Sequence, residues 1–82
     1  MARLSYDNIN TINRILSSDK YNGRVNIALP EDPDARFKMF EKINRRNQSN
    51  SYYEAPTGNW EWNTLANAFF SAENMQIIQN GD

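Results

Sequence analysis

The stretch that decides the fold lies near the C-terminus and reads Trp62-Asn-Thr-Leu-Ala-Asn-Ala-Phe-Phe-Ser-Ala-Glu-Asn-Met-Gln-Ile-Ile-Gln79. Its large apolar side chains recur at the spacing of one helix face, at Trp62, Leu65, Phe69 and Phe70. Ser71 offers a cap for a second short helix, which carries Met75, Ile77 and Ile78. The stretch therefore predicts two short helices that bend at Ser71 and pack an apolar face against another surface.

Upstream of this stretch, the sequence predicts two further helices. Ser5 can cap the first, over about 6–16, whose apolar side is formed by Ile9, Ile12, Ile15 and Leu16. Asp32 as a cap and Pro33 as a first residue favour the second, over about 33–46, with Phe37, Met39, Phe40 and Ile43 on its apolar arc. Between the two, the alternation of Val25, Ile27 and Leu29 predicts a short strand or extended segment.

The composition predicts a small core. Only 39% of the 82 residues are hydrophobic, Cys is absent, and residues 47–60 are polar with embedded aromatics. The predicted fold class is mainly α: a small, non-compact chain of short amphipathic helices with extended linkers and at most one short strand. We expect an anchoring segment (1–46), a polar linker (47–61) and a C-terminal helical segment (62–82). Its radius of gyration should exceed the roughly 12 Å of a compact domain of this length.

The residue types present argue against catalysis. Without His or Cys, the usual zinc and copper ligand sets and the usual general base near neutral pH are missing. We expect no enzyme activity, metal, cofactor or small-molecule substrate. No apolar run reaches the roughly 18 to 20 residues of a membrane span, and the N-terminus lacks an apolar stretch of signal-peptide length. Neither a membrane span nor secretion by that route is expected.

Large apolar side chains are frequent for a chain in which only 39% of the residues are hydrophobic, and two interpretations of them stay open. They are core residues if the chain is compact, and anchors for a partner protein if it is not. The small expected core favours anchors. The predicted protein-interface residues are Trp60, Trp62, Leu65, Phe69, Phe70, Met75, Ile77, Ile78, Phe37 and Phe40.

Charge is unevenly distributed along the chain. All nine Lys and Arg lie within residues 1–46 with six acids, whereas residues 47–82 hold four acids and no base. The basic helix 34–46, followed by Tyr52 and Tyr53, suits binding of nucleic acid through Lys38, Lys42, Arg45 and Arg46. A solvated helix face is the simpler interpretation, since four charges without a second basic segment give a weak electrostatic footprint.

The C-terminal stretch resembles a signature of a minor capsid protein family of nucleocytoplasmic large DNA viruses. The matching positions are Leu65, Phe69, Phe70, Ser71, Asn74, Ile78 and Gln79. In the family the helix usually continues with Ile-Arg, whereas here Asn80-Gly81-Asp82 follows.

The resemblance implies a structural minor capsid protein that cements or bridges major capsid proteins in a large icosahedral DNA virus particle. Its implied partners are the major capsid protein and other minor capsid proteins, and its implied location is the inner face of the shell, or the host cytoplasm during assembly. Met75 and Ile78 are then expected to contact a different neighbour from Phe69 and Phe70. Two alternatives remain: a small nucleic-acid-associated protein using helix 34–46, and an adaptor with an ordinary three-helix core.

Overall fold

The computed structural model describes residues 4–80, and most of this range is helical. The elements in chain order are a 3-10 turn at Tyr6–Asn8, α1 at Ile9–Leu16, a 3-10 turn at Asn26–Ala28, α2 at Pro33–Gln48, α3 at Trp60–Phe69 and α4 at Ala72–Asn80. Within residues 4–80 no strand is formed. The predicted mainly α class is confirmed.

Two helices, α2 and α4, start where capping side chains predict, whereas α1 begins at Ile9 after a 3-10 turn and α3 begins at Trp60, two residues before its predicted start. Asp32 accepts a hydrogen bond from the backbone N–H of Ala35 at 3.0 Å, and Pro33 is the first residue of α2. Ser71 accepts from the N–H of Asn74 at 3.4 Å, and α4 begins at the next residue. Each cap satisfies an N–H group that has no partner inside its own helix. The predicted bend at Ser71 is therefore confirmed.

The predicted strand between α1 and α2 is wrong. Val25 and Leu29 are buried, whereas Ile27 between them is 73% exposed, which is the spacing of a helical turn rather than of a strand. The turn is closed by Asn26, whose Oδ1 accepts from the N–H of Gly23 at 2.7 Å. Trp62 then holds the turn against α3, because its Nε1–H donates to the carbonyl of Val25 at 2.7 Å.

α2 ends in a Schellman motif that reverses the chain. Asn50 adopts the left-handed conformation, with φ of 60°. The N–H of Ser51 donates to the carbonyl of Arg46 at 2.8 Å, and that of Asn50 to Asn47 at 3.1 Å. The reversal sends the chain back along α3.

Residues 49–59, hereafter the connecting segment, are held on α3 by asparagine side chains. Asn67 donates to the carbonyl of Tyr53 at 2.8 Å and accepts from its N–H at 2.9 Å. Asn63 accepts from the N–H of Ala55 at 2.7 Å. These bonds satisfy backbone groups that lie outside any helix or sheet. The stretch predicted to be a linker is thus bound along its middle to α3.

A single hydrophobic core draws on all three predicted segments. Its buried members are Ile12, Leu16, Tyr21, Val25, Leu29, Phe40, Ile43, Ala55, Trp62, Ala66, Phe69, Phe70, Met75 and Ile78. Phe69 is fully buried, with ring centroids of Tyr21 and Phe40 at 5.2 and 5.6 Å. Asn8, just before α1, donates to the carbonyl of Ile78 and joins α1 to α4.

The predicted non-compact chain is wrong. The radius of gyration is 11.6 Å, the value expected for a compact domain of this length. The physical reason is twofold. The aromatic residues predicted to be anchors fill the chain's own core, and the asparagine bonds order the connecting segment without needing many apolar contacts.

Candidate functional site

Six of the ten predicted interface residues lie in the protein's own core: Phe40, Trp62, Phe69, Phe70, Met75 and Ile78. In this fold they contact their own chain, and the last four share one cluster rather than facing two neighbours. Phe37 and Leu65 are half-buried. Ile77 is 37% exposed and Trp60 is 76% exposed. Trp60 is therefore the predicted interface residue that the fold leaves most accessible.

The residues of the capsid-like signature build the corner between α3 and α4. Asn74 donates through Nδ2 to the carbonyl of Phe69 at 2.9 Å and to the hydroxyl of Tyr21 at 3.2 Å. Ser71 caps α4, and Phe69 and Phe70 turn their rings into the core, 5.2 Å apart. In this chain the signature residues form the corner between α3 and α4. The most exposed large apolar side chains belong to other residues.

The two most exposed large apolar side chains are Trp60, the first residue of α3, and Ile27, in the turn before α2. Trp62 and Phe69 mark the buried face of α3, so Trp60, two residues before Trp62, points to the opposite side. Ile27 lies in the turn that Trp62 holds against α3, and it lines a small cavity of about 170 Å³ together with Leu65. We call Trp60 and its neighbour Pro56 the Trp60 surface; Ile27 and Leu65 line a different cavity.

Acidic groups border the Trp60 surface. A second cavity, of about 470 Å³, is lined by Trp60, Pro56 and the exposed Glu54. Glu61, next to Trp60, forms an ion pair with Arg24, and both side chains are about half exposed. An exposed Trp beside Pro56 and the carboxylate of Glu54 is suited to insertion into an apolar pocket with a basic rim on a partner protein.

A second surface lies on the other side of the connecting segment, along α2. Lys42, Arg45 and Arg46 are exposed and line a cavity of about 350 Å³ with the half-buried Tyr53. We call these four residues the basic cleft. Among residues 4–80 the Arg24–Glu61 contact is the one ion pair, so the cations of the cleft have no carboxylate partner there. The cleft brings together three of the four bases and one of the two tyrosines that the sequence singled out.

The cavity between α1 and the start of α2 has a structural explanation. It measures about 310 Å³ and is lined by Asn13, Glu31 and Arg36 among others. Arg36 donates to the carbonyl of Pro30 and to Oδ1 of Asn13, each at 3.0 Å. Its guanidinium thus fixes the loop before α2 on α1.

The described part of the chain contains neither a metal cluster nor a membrane-crossing helix. Within residues 4–80 no three His, Cys, Asp or Glu side chains are grouped closely enough to hold a metal ion. Over the same range, no helix combines the length and the apolarity that crossing a bilayer requires.

Comparison of the chain with protein-family models, with curated proteins and with solved structures identifies no match. The resemblance to a capsid family therefore stays a prediction, and the two surfaces are the candidate sites that the geometry provides. Sequence reasoning missed Ile27, because strand alternation placed it beside Val25 and Leu29. It also missed the pair Asn63 and Asn67, although their i, i+4 spacing puts two amides on one helix face.

Proposed function

We propose that this chain is a structural binding protein that docks, as a folded helical unit, on a neighbouring protein of a large icosahedral DNA virus capsid. The observation that carries the proposal is the contrast between its two tryptophans. Trp62 is 2% exposed and completes the core, whereas Trp60 is 76% exposed and contributes to none of it. Tryptophan is the side chain most enriched among residues that dominate protein–protein binding energy.

Ile27 is a second strongly exposed apolar side chain, in a cavity that does not include Trp60. It is 73% exposed and, like Trp60, lies outside the core. Burying a side chain of this size against a partner contributes roughly 1.5 to 3 kcal/mol. Because the chain is already folded, docking through the Trp60 surface orders few residues, and less of the contact energy is lost to conformational entropy.

The capsid setting is supported by the resemblance at the α3–α4 corner. The mechanism differs from the predicted non-compact chain with aromatic anchors, since the corner residues that were expected to be anchors are buried. In the proposed mechanism the corner gives the unit its shape, and the Trp60 surface provides the contact. The carboxylate of Glu54, which forms no ion pair within residues 4–80, favours a partner pocket with a basic rim.

Mass spectrometry of purified particles of the encoding virus tests the setting, and binding to its major capsid protein tests the surface. Trp60→Ala should weaken that binding at least tenfold while leaving the thermal unfolding midpoint nearly unchanged. Ile77→Ala, a partly exposed apolar residue on α4, is the matched control and should bind normally. Equal binding by the Trp60 variant and the parent would refute the surface, and the absence of the chain from particles would refute the capsid setting.

A further inference from the structure

We propose that the basic cleft binds single-stranded nucleic acid, with phosphates held by its three cations and one base stacked on Tyr53. This site is separate from the Trp60 surface and does not depend on protein docking. Its four side chains come from two parts of the chain that the Schellman motif brings together, α2 and the connecting segment.

The cations form a row along α2 that can contact successive phosphates of one strand. Arg45 and Arg46 follow Lys42 by three and four residues, so all three lie on neighbouring positions of one helix surface. Lys38 is exposed one turn before Lys42 and extends the row. At about 1.5 Å rise per residue, the row from Lys38 to Arg46 is about 12 Å long. A flexible backbone can follow such a row with successive phosphates.

No acid within residues 4–80 forms an ion pair with the cations of the cleft. This holds for Glu41, which lies on α2, and for Glu54, which follows Tyr53 in the chain. The end of α2 would also repel phosphate if its carbonyls were free. The carbonyl of Arg46, however, accepts hydrogen bonds from Ser49 and Ser51, which satisfies it inside the protein.

Tyr53 is positioned before any ligand arrives. Asn67 binds both its N–H and its carbonyl, and part of its side chain packs on the core. A fixed aromatic ring beside a groove of cations is the arrangement that binds single strands, because every base offers a face for stacking. A duplex keeps its bases stacked on one another and offers this surface its phosphates alone. The ring therefore favours a single strand as the ligand.

Fluorescence anisotropy with a short fluorescein-labelled oligothymidylate tests the proposal through its salt dependence. Neutralising three or four phosphates predicts a slope of log K against log salt of about −2 to −3. The double variant Arg45→Ala/Arg46→Ala should reduce that slope by about 1.4 and weaken binding at least tenfold. Arg14→Ala removes an exposed arginine of α1 and is the matched control, with no change expected.

Tyr53→Leu tests stacking, because leucine keeps an apolar contact with the core and removes the ring. It should weaken oligothymidylate binding roughly tenfold without changing the salt slope. Trp60→Ala should leave this binding unaltered, which separates it from protein docking. A salt slope near zero, equal affinity for a duplex of the same length, or a Tyr53→Leu variant that binds like the parent would each overturn the proposal.

Discussion

The α3–α4 corner and the connecting segment are ordered by different forces. At the corner, Phe69 and Phe70 pack their rings against Phe40 at centroid distances of 5.6 and 5.9 Å. In the connecting segment Ala55 is the buried apolar residue, and the backbone is held by the amides of α3. The corner is stabilised by removing apolar surface from water, and the segment by satisfying polar backbone groups.

The difference teaches that aromatic density alone does not locate a binding surface. Both regions contain large aromatic side chains, and the sequence suggested that those of the corner face a partner. Burial instead follows helix phase, which turns Phe69 inward and Trp60 outward on the same helix. The following predictions test whether the two regions depend on these separate forces.

Phe69→Ala should have the largest effect, because it opens a cavity among three aromatic rings. Removing a fully buried Phe costs about 3 to 5 kcal/mol, a large part of the stability of a small domain. Urea unfolding followed by circular dichroism should show a much lower midpoint. Trp60→Ala, on the exposed side of the same helix, should change stability by less than about 0.5 kcal/mol. Similar losses in both variants would contradict the assigned helix phase.

Asn67→Ala should have an intermediate effect that is concentrated in the connecting segment. It leaves the N–H and the carbonyl of Tyr53 without their partner, and such losses cost about 1 to 3 kcal/mol. Hydrogen exchange should show faster exchange at Tyr53 and Ala55 than in the core helices. Asn10→Ala, an exposed asparagine of α1, is the control. A uniform increase across the whole chain would show that the segment and the core unfold as one unit.

Asn50→Ala should have a smaller effect, through the backbone rather than through contacts. Position 50 has a φ of 60°, a conformation that costs most L-residues about 1 to 2 kcal/mol and that Asn tolerates better. We expect the alanine variant to lose about 1 kcal/mol. Asn50→Gly should match or slightly exceed the parent in thermal unfolding midpoint, since glycine adopts this conformation freely. A destabilised glycine variant would show that the Asn50 side chain itself is needed.

Glu61→Gln should have the smallest effect. The variant breaks the ion pair with Arg24, but the side chains are 49% and 50% exposed, and such pairs contribute less than about 1 kcal/mol. The difference in thermal midpoint from the parent should shrink further at high salt, because exposed charges are screened. A loss that is large and insensitive to salt would show that this contact holds the turn before α2 on α3.

The starts of α2 and α4 and the apolar face of α3 could be predicted from the sequence, because caps and hydrophobic periodicity are local signals. Asp32-Pro33 placed the beginning of α2, and Ser71 placed the bend before α4. Compactness could not be predicted in this way. It depends on which partner each apolar face meets, and on bonds between residues far apart in sequence, such as Asn67 with Tyr53.

The candidate surfaces were predictable only in part. The row of bases on α2 is visible in the sequence, but its meeting with Tyr53 depends on the reversal at Asn50. Trp60 was named as an interface residue together with Trp62, although a helix that includes both places them on opposite sides. Their separation needs the true start of α3, which lies two residues earlier than predicted.

Because the two tryptophans are unequally buried, the intrinsic fluorescence of the protein can report separately on unfolding and on binding of a partner. Trp62 sits in an apolar site with Nε1–H bound to the carbonyl of Val25, so its emission should be blue-shifted and should change only on unfolding. Trp60 is 76% exposed, so its emission should be red-shifted and open to quenching by iodide. Loss of iodide quenching without loss of the blue component would then signal that a partner covers Trp60 on an intact fold, with no label attached.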